Sequence, residues 1–190
     1  MNLPNLLTII RMGLVPVFIV FFYIGHGGEQ IFSILAFAVF IIASATDAVD
    51  GHIARKRNLI TNFGKLMDPL ADKVLTTAAF IVLVDVHIIP AWMVIVILAR
   101  EFIITGLRGV AASEGVVIAA GLSGKLKTVF QMVAICLILL GSTVAHGAGM
   151  SGFWLFISIA GTICLWAAVA LTVYSGIEYF WNGRKLLNLK

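Results

Sequence analysis

Six long apolar runs alternate with five short polar breaks along this chain. The runs fall near residues 4–25, 30–56, 66–86, 90–112, 125–146 and 152–182. Each is close to or above the about 20 residues that a helix needs to cross a hydrocarbon core of roughly 30 Å. The pattern therefore predicts an all-α integral membrane protein with six transmembrane helices. One domain spanning residues 1–190 is expected, because no repeat, low-complexity tract or second soluble unit interrupts the pattern. The first run is read as a retained helix and not a cleaved secretory signal: Pro4 comes early, Arg11 is embedded in the apolar run, and no small-residue cleavage site follows. Pro16 would permit a bend in it.

Composition and charge add an orientation. Of 190 residues, 61% are hydrophobic and only 12% charged, against about 25% charged in soluble domains. The first, third and fifth breaks contain neither Lys nor Arg. The second break, the fourth with its flanks, and the two terminal segments hold or adjoin all 13. Basic residues stay on the cytoplasmic side, so both termini and the second and fourth breaks are expected there. The net charge of +4 is thereby explained by topology and by contacts with anionic lipid or phosphate, without a nucleic-acid partner. Cys136 and Cys164 fall inside apolar runs and read as small core residues, with neither a disulfide framework nor a metal motif around them.

Against this apolar background the stretch from Asp47 to Asp72 stands out. Asp47, Asp50, Asp68 and Asp72 sit at the junction of two apolar runs, where an unpaired charge at mid-bilayer depth would cost at least about 2.5 kcal/mol. Asp47 and Asp50 are three apart and Asp68 and Asp72 four apart, so each pair shares a helix face if its flank is helical. A turn around Asn62 and Gly64 could aim all four at one point, with the third helix starting near Asp68-Pro69 and the proline in its first turn. Four converging carboxylates are stable around cations, and hard oxygen donors select magnesium, calcium or manganese, which suggests a two-metal centre. Gly51 leaves the backbone bare and Ala54 keeps the next turn small, so a bulky ligand could approach. Arg55 offers a planar fork for phosphate oxygens. A structural cluster neutralised by Arg55, Lys65 and Lys73 is the competing explanation.

The spacing Asp47-x-x-Asp50-Gly51-x-x-Ala54-Arg55, eight residues, Gly64-x-x-x-Asp68-x-x-x-Asp72 resembles the complete signature of the CDP-alcohol phosphotransferase family. The run Ala99 to Arg108 (A-R-E-F-x-x-T-G-L-R), Ser123 to Thr128 (S-G-K-x-K-T), the opening M-N-x-P-N and the Ser175 to Phe180 run (S-G-I-E-Y-F) are similar to a bacterial branch that makes phosphatidylglycerol phosphate. The resemblance implies transfer of a phosphatidyl group from CDP-diacylglycerol to sn-glycerol 3-phosphate, with release of CMP, at the cytoplasmic interface of a bacterial cell membrane. It implies two Mg2+ or Mn2+ ions on Asp47, Asp50, Asp68 and Asp72, with Asp72 also the general base on the acceptor hydroxyl. It further implies a cytidine diphosphate site at Gly51, Ala54 and Arg55, and a homodimer. Asn5 and Thr8, which share a helical stripe with Arg11, are further candidates for the nucleotide site; a helix start with a snorkelling Arg11 would give the same stripe.

Two later clusters suggest where an acceptor phosphate binds. Arg100 and Arg108 are eight residues apart, on roughly one face of the fourth helix. Lys125 opens the fifth, where a helix N-terminus itself favours anions. Positive residues touching lipid headgroups are the alternative, weaker for Arg100 because Glu101 and the apolar surroundings suggest a buried pair, and equal for Lys127. Lys73 would snorkel or hold a phosphate, and His52 reads as a passive cavity-lining residue. Other acceptors within the family, a cation transporter and a membrane scaffold remain as competing functions. A basic acceptor pocket disfavours serine as acceptor. A transporter is expected to hold its carboxylates nearer mid-span and to show broken helices or an internal repeat.

Overall fold

The structure, a computed structural model, describes residues 3–57, 62–113, 121–145 and 152–183. Within them the side chains of 3–8, 47–57, 62–72, 112–113, 143–145, 180 and 182–183 lie outside the description. The described chain is all-helical: α1 (Leu3–His26), α2 (Gln30–Arg57), α3 (Asn62–Asp85), α4 (Ala91–Ser113), α5 (Leu122–Ala145) and α6 (Gly152–Gly183). Each helix coincides with one apolar run. Pro16 sits inside α1 without ending it.

The start of α3 differs from expectation. It begins at Asn62, so Asn62 and Gly64 are helical and the connection from α2 falls on residues 58–61, outside the described residues. Pro69 is accordingly an interior residue of α3 and not a first-turn one. A proline removes one backbone donor, a loss that lies here near one end of a long helix.

Two tight turns close the opposite end. After α1, Gly28 adopts φ +118° and its N–H reaches the Gly25 carbonyl at 3.1 Å. After α3, His87 takes φ +60°; its N–H donates to the Val84 carbonyl at 2.9 Å, and that of Ile88 to the Leu83 carbonyl at 3.0 Å. These bonds satisfy carbonyls that a helix C-terminus leaves open. The Tyr23 hydroxyl donates to Asp85 Oδ2 at 2.8 Å and ties the two helix ends together.

The interior is built from side chains of all six helices. Phe18, Phe40, Phe80, Leu83, Ile135 and Leu165 are fully buried, with the Phe18 and Phe40 rings 5.7 Å apart. The most extensive packing joins α5 to α6 and α1 to α2. Gly161 permits the first of these: a Cβ there would lie 2.9 Å from Ile138 Cγ1 and 3.1 Å from Leu137 Cβ.

Many large apolar side chains lie on the outer surface. Ile95, Phe156 and Ile163 are exposed at 64%, 68% and 63%, whereas Arg11, Lys127 and Gln131 are buried. Large contiguous apolar surface around buried polar groups suits lipid and not water. Among the described residues three helices are long and apolar enough to cross a membrane, over Ile9–His26, Leu122–Ser142 and Gly152–Tyr179. In α4 the apolar run carries Arg100, Glu101 and Arg108, and that charge leads to the site.

Candidate active site

A polar region of the bundle gathers the middle of α3, the middle and last turns of α4, the start of α5 and the end of α6. Its hub is Glu101. From α3, Lys73 Nζ stands 3.5 Å from Glu101 Oε2 and also contacts Thr105 Oγ1. From α5, Lys127 Nζ pairs with Glu101 Oε1, and the neighbouring Arg100 Nη1 is 3.7 Å from the same oxygen. Lys127 is only 1% exposed. A buried ammonium without a partner would be strongly unfavourable, so Glu101 is what makes its position tenable. Lys127 is thus neither a headgroup contact nor a surface topology residue, and Lys73 reaches across to α4 instead of snorkelling.

Beside this hub lies a second cationic group. Arg100 passes over two glycines: a Cβ at Gly124 would sit 3.6 Å from its Nη2, and one at Gly176 would sit 3.5 Å from its Cγ. The Arg100 side chain thus runs close along the backbone of α5 and α6. Arg108, two turns on, has its Cζ 5.6 Å from the centre of the Tyr179 ring, a cation–π arrangement. Ser123 Oγ donates to Glu178 Oε2 at 2.5 Å and fixes the end of α6 to the start of α5. The Nε atoms of Arg100 and Arg108 and the hydroxyl of Tyr179 are buried and have no hydrogen-bond partner among the described residues.

A cavity of about 70 Å³ continues inward from the hub between α3, α4 and α5. Lys73, Thr76, Thr128 and Gln131 form its polar wall, Phe80, Ile97 and Met132 its apolar one.

Of the residues singled out in the sequence, Arg100 and Arg108 come together against α6, and Lys125 is exposed at the start of α5, next in the chain to the Gly124 that flanks Arg100. Asp47, Asp50, Gly51, Ala54 and Arg55 belong to α2, Asp68 and Asp72 to α3, Asn5 and Thr8 to α1. The helical condition behind the aspartate spacing is therefore met, while those side chains, and that of His52, lie outside the described residues. Among the described residues no three His, Cys, Asp or Glu side chains form a metal-holding group. The donor set suited to a hard divalent ion is the four aspartates, by the chemistry of their oxygens. Sequence reasoning missed Tyr179 and Glu178 as parts of the site. The available signal was the three-residue step from Gly176 to Tyr179, which places both on one face of α6 toward α4.

The aspartate signature lies across two helices of an apolar bundle with a cation-rich region, and the sequence that builds it falls in a known class. Residues 1–174 match the family model for CDP-alcohol phosphatidyltransferase, and the chain belongs to that family. It is a membrane protein of that class. Among its relatives, the CDP-diacylglycerol--glycerol-3-phosphate 3-phosphatidyltransferase of Bacillus subtilis (strain 168) is 44% identical, over 98% of this chain and 99% of the relative. The protein of the same name from Rickettsia typhi is 41% identical over 94% and 95%. A probable phosphatidylglycerophosphate synthase of Mycobacterium tuberculosis (strain CDC 1551 / Oshkosh) is 38% identical over 94% and 79%.

Proposed function

We propose that this chain transfers the phosphatidyl group of CDP-diacylglycerol to sn-glycerol 3-phosphate, giving phosphatidylglycerol phosphate and CMP in phospholipid biosynthesis. End-to-end similarity to relatives bearing that name supports the reaction. The structural observation that carries the choice of acceptor is the meeting of Arg100 and Arg108, each with a buried, unpartnered Nε, beside exposed Lys125. Guanidinium forks match phosphate oxygens, and a neutral acceptor would leave them unsatisfied. In this reading Arg100, Arg108 and Lys125 hold the acceptor phosphate and present its hydroxyl to the donor.

The rest of the reading is organised around that pocket. All six helices span a bacterial cell membrane as one domain, with both termini and the site at the cytoplasmic interface. There a lipid donor and a water-soluble acceptor can meet. Asp47, Asp50, Asp68 and Asp72 would hold two Mg2+ or Mn2+ ions, which would supply charge neutralisation at the diphosphate and at the entering and leaving oxygens. Gly51, Ala54 and Arg55, with Asn5 and Thr8, line the cytidine diphosphate. Asp72 accepts the proton of the acceptor hydroxyl as its oxygen bonds to the phosphatidyl phosphorus. The bond from that phosphorus to the bridging oxygen breaks, and CMP leaves with the electron pair. The assembly is a homodimer.

The test is CMP release by purified protein in detergent, with CDP-diacylglycerol and magnesium or manganese, comparing glycerol 3-phosphate, inositol phosphate, serine and phosphatidylglycerol. Release with glycerol 3-phosphate alone is expected. Release with serine or phosphatidylglycerol instead would overturn the acceptor pocket, and no release from folded protein would overturn the enzyme.

A further inference from the structure

We infer that Tyr179 is a ligand of the acceptor phosphate, its hydroxyl donating to a phosphate oxygen while its ring fixes the Arg108 guanidinium. The inference rests on the acceptor-pocket reading above and adds a residue from a helix outside the four-aspartate signature.

A buried phenol ordinarily finds a hydrogen-bond partner, because removing its O–H from water uncompensated is unfavourable. Among the described residues the Tyr179 hydroxyl has none, and neither do the buried Nε atoms of Arg100 and Arg108. All three belong to one small region. The Arg108 Cζ lies 5.6 Å from the Tyr179 ring centre, and both Arg108 and Tyr179 are close enough to act electrostatically on Arg100. Gly176, one turn before Tyr179 on α6, is the residue over which Arg100 passes. Donors of this kind gathered in one region suit an anionic acceptor.

The nearby carboxylates do not fill that role. Glu178 accepts from Ser123 at 2.5 Å. Glu101 pairs with Lys127 and Lys73 and comes only within 3.7 Å of Arg100. Among the described residues neither acid is paired with Arg108, so a phosphomonoester, with up to two charges at neutral pH, would find Arg100 and Arg108 available as cationic partners. Glu178 keeps the end of α6 docked on α5, so Tyr179 is held over Arg108 before any acceptor arrives. That placement costs no reorganisation on binding.

The experiment compares wild type, Tyr179→Phe and Lys125→Ala, purified in detergent, for the KM of glycerol 3-phosphate, the KM of CDP-diacylglycerol and inhibition by inorganic phosphate. Tyr179→Phe keeps the ring and removes only the donor. A lost hydrogen bond to a charged group corresponds to about a tenfold or larger rise in the KM of glycerol 3-phosphate. The KM of CDP-diacylglycerol is expected to stay within about twofold, with the loss in KM and not in kcat, as for a contact made equally in ground and transition states. Inhibition by inorganic phosphate should weaken in the same proportion. If Lys125→Ala raises the KM of glycerol 3-phosphate while Tyr179→Phe changes neither that value nor phosphate inhibition, the pocket stands and the tyrosine assignment is wrong. If neither variant moves them, the pocket reading itself fails. Equal effects of Tyr179→Phe on both substrates, or its failure to assemble, assign the phenol a structural role and also overturn the proposal.

Discussion

Replacing Glu101 by glutamine tests whether the polar end is held together by one carboxylate. The substitution keeps the shape and removes a single negative charge that now faces Lys73 at 3.5 Å, Arg100 at 3.7 Å and Lys127 in direct contact. Removing one partner of a buried ion pair typically costs about 3–5 kcal/mol. Glu101 is about one-fifth exposed and Lys73 about one-quarter, so water relieves part of the loss, and the lower end, about 3 kcal/mol, is expected. Lys127, at 2% side-chain exposure, has no such relief. At about 2–4 °C per kcal/mol for a chain of this length, the unfolding midpoint should fall by about 6–12 °C. Cys136 and Cys164 are free and half-buried, so a thiol-reactive fluorophore can report unfolding in detergent without an added label. Adding Lys127→Met to Glu101→Gln removes the stranded ammonium, and replacing both members of a buried pair is often close to neutral. The double variant should therefore recover at least half of the lost midpoint. A Glu101→Gln protein within about 2 °C of wild type, or a double variant no more stable than the single one, would refute the role assigned to this hub.

Three further outcomes are expected. Asp72→Asn should lower turnover by about 10²- to 10⁴-fold, the range for loss of a general base, while the protein still assembles as judged by its elution profile; retained CMP release would remove Asp72 from that role. Chelation should abolish CMP release, and added magnesium or manganese should restore it; full activity in excess chelator would count against an ion held by the four aspartates. Gly161→Ala should destabilise by about 1–3 kcal/mol through overpacking against Ile138 and Leu137, read as a lower unfolding midpoint with the KM values unchanged; an unshifted midpoint would mean that α5 and α6 can separate freely there.

Where the fold was legible, it was because lipid imposes a simple rule: a backbone in hydrocarbon must satisfy its own hydrogen bonds, so a long apolar run becomes a helix. The six runs match α1 to α6 closely for that reason. The start of α3 was misjudged because Pro69 was taken as a start signal, while the helix begins at Asn62 and carries the proline inside. Within the site, the pairing of Arg100 with Glu101 was readable from adjacency in an apolar run. The burial of Lys127 was not, because a lysine near a helix start looks the same in sequence whether it faces headgroups or a carboxylate on another helix. The contact between Arg108 and Tyr179 joins α4 to α6 across a long sequence separation, and no local periodicity encodes such a meeting.

The placement of charge relative to packing suggests why the site lies at one end and not in the middle. Among the described residues, the bundle's other end carries the short turns after α1 and α3 and the Tyr23–Asp85 hydrogen bond. Between the two ends lie Phe18, Phe40, Phe80 and Ile135, all fully buried. The cluster of described cations sits instead on α3 (Lys73), α4 (Arg100 and Arg108) and the first turns of α5 (Lys125 and Lys127), against the C-terminal part of α6. In such a place a long side chain can be desolvated by neighbouring helices while water remains near enough to admit a phosphate. Moving the same cluster two turns inward would require each cation to carry its own counter-ion, as Lys127 already does with Glu101, and no positive surplus would remain for a ligand. The proposed acceptor pocket and the ion-paired hub would thus be two outcomes of one gradient in desolvation: pairs where the charges are buried, and open donors where a charged substrate could still arrive.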